Sequence, residues 1–125
     1  MSIVSGALLG ILEEAGVAVL TLTEGLEPEE FFSSLLTQRE VLRQMCIMAD
    51  TAANMPDELK LKMVEIDWTG WSILGMELKM TGSAERDALW FGVRSLVPAT
   101  LMWMRVYKKD APELFSLMTS LHVLL

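Results

Sequence analysis

Hydrophobic residues recur along this chain at helical spacing, and no stretch sustains the alternation of a strand. From Ile3 to Thr23 the sequence is almost continuously apolar, and Gly25 in "TEGLEP" is placed to follow a helix C-terminus. "EPEEFFSS" sets Pro28 in a first turn followed by acids, which predicts a short helix aligned with its dipole. Thr37, with Glu40 three residues on, has the form of a capping box opening "TQREVLRQMCIMADTAANM". In that helix Val41, Met45, Met48 and Ala52 line one face, with Leu42 and Cys46 beside it. Pro56 ends it, and "DELKLKM" makes a short helix with Leu59 and Met63 on one side. A further helix is expected from Trp68 to Met80, before Gly82. Ser83 opens "SAERDALWFGVRSLVPATLMWMRVYKK", which Pro98 is expected to kink or split near Leu96. "DAPELFSLMTSLHVLL" closes the chain, with Asp110 as cap and Pro112 near the first helical position. Four main helices with short connectors predict an all-α protein: an up-and-down bundle of four to five helices, one domain of 125 residues.

The helix from Trp68 raises a packing question. Trp71, Leu74 and Leu78 form one stripe along it, Ile73, Met76 and Met80 form another, and Trp68 sits one turn below Trp71. A helix apolar on two sides has to be covered on two sides. A bundle of this size buries one stripe in its own core, so the second is expected to meet another subunit. Aromatic and methionine side chains are also what interface cores accumulate. The expected dimer interface is Trp68, Trp71, Leu74, Met76 and Met80; the competing reading is a central helix covered wholly by its own bundle.

Hydrophobic residues make up 52% of the chain, and the first helix invites a transmembrane reading. Glu13 and Glu14 oppose it, since an acid at mid-bilayer costs about 2.5–3.5 kcal/mol on insertion scales. No Lys or Arg precedes Arg39 to give a signal-peptide or positive-inside flank. The expectation is a buried helix in a cytoplasmic protein that does not enter membranes. A net charge of -7 opposes strong non-specific binding to DNA or other nucleic acid.

Chemistry is sparse. Cys46 is the single cysteine, on an apolar helical face, and reads as an inert buried thiol. His122 is the single histidine and suits packing or capping better than base catalysis. The ten methionines fall on apolar faces, so core and interface filling accounts for them better than copper does. There is no glycine-rich phosphate loop, serine elbow, Glu-x-x-His pair or metal-ligand cluster, and no metal or cofactor is expected.

A set of short motifs nevertheless occurs in a recognisable order. "EGL" and "EEF" precede "LTQ" and "VLR" at the start of the second long helix; "NMPDEL" follows that helix, then "EIDW", then Trp90 and Leu96–Pro98. Together, from about Glu13 to Pro98, they resemble the HepT-like branch of the HEPN superfamily, small all-α proteins often paired with a minimal nucleotidyltransferase. The resemblance implies a homodimer with an RNA-cutting groove between two copies of the helix after the tryptophan. An arginine there would hold phosphate, a histidine four to six residues on would serve as acid or base, and a tyrosine two further would receive nucleotide from the partner.

This chain departs from the pattern at each of those places. Aligned from Trp68 without gaps, Gly75, Met80 and Gly82 take the three positions; aligned on "GM", they are Glu77, Gly82 and Ala84. No arginine lies between Arg43 and Arg86, and the one tyrosine is Tyr107. The first reading is therefore a catalytically degenerate, dimeric binding or scaffold protein. Its partner would be a nucleotidyltransferase-like antitoxin, or a nucleotide or RNA in the vestigial groove at Glu77, Lys79 and Asp50. Asp50 reads equally as a solvated or capping acid. The second reading is an RNase toxin using Lys79, Arg86 and Glu85 as substitutes, and a third is a membrane-associated helical protein resting on the first helix.

Overall fold

The computed structural model describes residues 3–115, and every regular element among them is helical. Helix α1 spans Ile3–Thr23. The Leu26 N–H donates to the Thr23 carbonyl at 3.0 Å, and Gly25 takes the left-handed conformation (φ 75°) that turns the chain out of the helix. Helix α2, Pro28–Ser33, begins at Glu27, whose own N–H donates to Glu30 Oε1 at 3.1 Å in a reciprocal capping box.

Helix α3 covers Leu35–Ala53, and its cap is Ser34 rather than the expected Thr37. Ser34 is extended, and its hydroxyl accepts from the Thr37 N–H at 3.3 Å and meets the Thr37 hydroxyl at 2.9 Å. Thr37 thus lies inside the first turn. Glu40 does not reach back to complete a box, because Arg43 donates to both of its carboxylate oxygens at 2.7 and 3.0 Å, and Gln44 donates at 2.9 Å. The Arg43 hydrogen bonds, then that of Gln44, lower the Glu40 pKa from 4.5 to about 2. A folded-state value below the unfolded one gives a contribution complete above about pH 4.5 and lost as pH falls through about 2. In an NMR titration, Arg43→Ala is expected to move the Glu40 carboxyl midpoint up toward its ordinary value; an unmoved midpoint would contradict the pairing.

Helix α4 is Asp57–Lys62, started by Pro56 with Asp57 and Glu58 in its first turn and Lys60 and Lys62 in its last. Helix α5 runs Trp68–Glu77, capped by Asp67, whose Oδ1 accepts from the Gly70 N–H at 2.8 Å. It ends three residues short of Met80. The Lys79 N–H bonds the Met76 carbonyl at 3.2 Å and the Met80 N–H bonds the Glu77 carbonyl at 3.0 Å. These i→i+3 bonds tighten the last turn before Gly82 (φ 74°) reverses the chain.

Helix α6, Ser83–Phe91, follows from Gly82 without a side-chain cap, so Ser83 is its first residue and not its cap. The expected break near Leu96 takes the form of a π-helical turn, Gly92–Leu96, leading into α7, Val97–Asp110. Pro98 has no N–H to offer the carbonyl four residues back, and the wider turn, with the Val97 N–H on the Gly92 carbonyl, accommodates it. Asp110 is the last residue of α7 rather than the cap of a new helix, since the Ala111 N–H still donates to the Tyr107 carbonyl at 2.7 Å. A 3-10 turn at Pro112–Phe115 follows. His122 and most of the expected closing helix lie outside the described residues.

The core is contiguous and draws on every element. Leu9, Leu12 and Val19 of α1, Val41, Met45 and Met48 of α3, Leu59 of α4, Trp71 of α5, Val97 and Met104 of α7 are each fully enclosed or nearly so. Helix α1 packs chiefly on α3 and α7. It is long and apolar enough to cross a membrane by length and composition. In the fold its Leu9–Leu12–Ala15–Val19 face is core, and Glu13 receives the Lys108 ammonium at 2.7 Å. Ile11 and Val17 remain exposed on its outer side.

Candidate functional site

Helix α5 answers the packing question residue by residue. Trp71, Leu74 and Leu78 are 0%, 1% and 5% exposed, while Ile73, Met76 and Met80 are 53%, 65% and 50% exposed. One stripe is core and the other is uncovered. Trp71 and Leu74 are therefore corrected from interface residues to core residues, because their own chain already encloses them. The Trp71 indole N–H donates at 2.9 Å to the Thr100 hydroxyl, which donates at 2.7 Å to the Leu96 carbonyl. This buried relay ties α5 to the start of α7. Trp68 is half-buried against the core, and its indole N–H donates to the Met63 carbonyl at 3.0 Å, fixing the α4–α5 connection. Met76 and Met80 alone among the five expected interface residues stand open.

The open stripe forms a ridge between two grooves. On one side, α5 approaches α3 so closely that a Cβ at Gly75 would lie 3.2 Å from the Cβ of Ala49. Beside this contact is a groove of about 230 Å³ lined by Cys46, Asp50, Ser72, Met76 and Lys79, with Ala49 and Gly75 at its floor. Asp50 and Lys79, 29 positions apart in sequence, are thus brought to one place. On the other side, between α5 and α6, Asp67, Gly70, Ile73, Leu74, Glu77 and Phe91 line a groove of about 390 Å³. Glu77 belongs here, so the three expected binding residues do not form one site: the ridge divides Glu77 from Asp50 and Lys79.

Helical geometry explains the division. Residues 72 and 76 of α5, with Lys79 in the turn that follows it, are turned toward α3, whereas residues 70, 73 and 77 share the face turned toward α6. Burial pushes the Cys46 thiol above its ordinary pKa, with Asp50 and Glu85 adding to the effect and Lys79 opposing it. At neutral pH this thiol is protonated and a poor nucleophile. Among the described residues, no arginine or histidine lines either groove. Among the described residues, no three His, Cys, Asp or Glu side chains come together where they could hold a metal ion.

Phe91 is the site residue that the sequence pattern left unremarked. Leu89 and Val93 point to the core, and Phe91, midway between them on the helix, is 52% exposed. A bulky aromatic displaced from its helix's apolar stripe was the available signal. Comparison with known proteins leaves the assignment to the residues themselves: no family model matches the chain, and no solved structure matches it.

Proposed function

We propose that this chain is a catalytically degenerate HepT-like HEPN protein, a dimeric binding or scaffold protein of the cytoplasm rather than an enzyme. Its partner would be a nucleotidyltransferase-like protein or a nucleotide. The observation that carries the reading is the uncovered Ile73–Met76–Met80 ridge on α5. In the resembled family the equivalent helix faces its twin, and here that helix presents large apolar side chains with no base beside them. Water-exposed methionine and isoleucine at i, i+3 spacing offer a self-complementary surface for a two-fold contact. The groove next to the ridge supports a degenerate site: Lys79 can hold a phosphate, but no histidine of the described residues lines it and burial keeps the Cys46 thiol protonated.

Light scattering on the purified protein is expected to give twice the 14.0 kDa of one chain. Met76→Glu combined with Met80→Glu is expected to give single chains with unchanged helicity by circular dichroism, since both side chains are exposed and no core residue is touched. A wild-type protein that is monomeric at high concentration defeats the dimer. RNA cleavage abolished by Lys79→Ala or Glu77→Ala would defeat the degenerate site and favour the RNase reading.

A further inference from the structure

The α5–α6 groove differs from its neighbour in charge. Among the described residues, both ionisable groups lining it are acids: Asp67 at the start of α5 and Glu77 at its end. The ten residues of α5 place them about 15 Å apart along the axis. Asp67 commits Oδ1 to the Gly70 N–H and keeps its other oxygen, while Glu77 is half-buried and its carboxylate has no hydrogen-bond or ion-pair partner among the described residues. Between the acids lie two uncovered apolar side chains, Ile73 at 53% and Phe91 at 52% exposure. Isolated exposed apolar residues need no explanation, but two facing one groove with carboxylates at both ends form a defined surface.

We infer that this groove receives an amphipathic, cationic segment of a partner protein. Its apolar side chains would lie on Ile73 and Phe91, and lysines or arginines on either side of them would meet Asp67 and Glu77. Charge complementarity selects this occupant. A single metal ion cannot bridge carboxylates so far apart, and an anionic ligand would meet only negative charge. A second copy docked symmetrically through the same groove would bring its own Asp67 and Glu77 against these two, a like-charge juxtaposition. Three helical turns of partner, about ten residues, match the length of α5. The net charge of -7 adds long-range attraction for a basic segment. The inference goes beyond the dimer reading: the two share Ile73 at the edge of the ridge, while Met76 and Met80 belong to the dimer contact alone and Phe91, Asp67 and Glu77 to the groove alone.

The probe is a fluorescein-labelled synthetic peptide of about 15 residues that carries leucines at helical i, i+4 spacing flanked by lysines. Binding is read as anisotropy against the full chain, with an isomer carrying glutamates in place of the lysines for comparison. The lysine peptide is expected to bind, the glutamate isomer not, and affinity to fall as salt rises from about 50 to about 300 mM. Glu77→Lys is expected to weaken binding about tenfold or more. Glu24→Lys, exposed just past the end of α1, equal in charge change and not lining the groove, should weaken it less than about twofold. Glu77→Gln and Phe91→Ala, both accepted only with unchanged circular dichroism, are each expected to weaken it, since charge and apolar contact are separate halves of the surface. Equal loss from Glu24→Lys and Glu77→Lys, equal binding of the two peptides, or no binding by the wild type would each overturn the inference. Loss of self-association in Phe91→Ala without any peptide effect would assign the groove to a second copy and overturn it as well, leaving the Met76 and Met80 variants to judge the dimer separately.

Discussion

Trp71→Ala is expected to cost about 3–5 kcal/mol, the range for emptying a fully enclosed aromatic site. Global stability for a domain of this size lies at about 5–15 kcal/mol, so the variant should give up a substantial share of it. Two terms combine: the indole is 0% exposed, and its N–H is the donor in the relay through Thr100 to Leu96. Thr100→Val separates them. It keeps the tryptophan and its packing but strands the buried indole N–H, a penalty of about 1–3 kcal/mol. The Leu96 carbonyl retains its place in the helix backbone, so the cost belongs to the indole. Urea unfolding followed by circular dichroism should show both as lower midpoints with unchanged slope. A cost below about 1 kcal/mol for Trp71→Ala would mean that α5 is not held by its own chain, and the separation of core stripe from open ridge would fail with it.

That separation marks the limit of what the pattern of residues could say. The end of α1 at Thr23 and the starts of α2 at Pro28 and α4 at Asp57 follow from Gly25, Pro28 and Pro56, because glycine and proline act through their own backbones. The face Val41–Met45–Met48–Ala52 of α3 was equally readable, since its opposite side is polar and only one orientation buries it. Helix α5 offers no such contrast. Its two stripes are alike in hydrophobicity, so spacing groups Trp71 with Leu74, and Ile73 with Met76, without saying which pair faces inward. The decision rests on Thr100, 29 positions away, and on Gly75 fitting against Ala49 of α3. The same holds for chemistry. Asp50 and Lys79 meet because α3 and α5 pack closely, and Glu77 is excluded from them by two positions of helical rotation. The cap at Ser34 was missed for a local reason: either hydroxyl residue can cap, only Thr37 has a glutamate three residues on, and Arg43 draws that Glu40 away from it.

A second large effect is expected at Gly92, where the π-turn passes the core. A Cβ added there would lie 2.5 Å from the Met45 sulfur and 2.8 Å from its terminal methyl, with a Leu74 methyl at 3.4 Å. Met45 is itself 0% exposed, so its side chain can yield only by leaving its rotamer within a filled space. Gly92→Ala should therefore cost about 1–3 kcal/mol by overpacking, although alanine in an open helix is favoured over glycine by about 1 kcal/mol. Met45→Ala alone should cost about 2–5 kcal/mol through the cavity it leaves. Combined, the two substitutions are expected to be less damaging than the sum of the single effects. The new methyl then enters the space the methionine vacated, and the helix preference of alanine is no longer opposed. A coupling of about 1 kcal/mol or more in a double-mutant cycle is the predicted signature of direct contact. Strict additivity would mean that the widened turn does not press on α3 at Met45, and that Pro98 alone dictates where the α6–α7 helix opens.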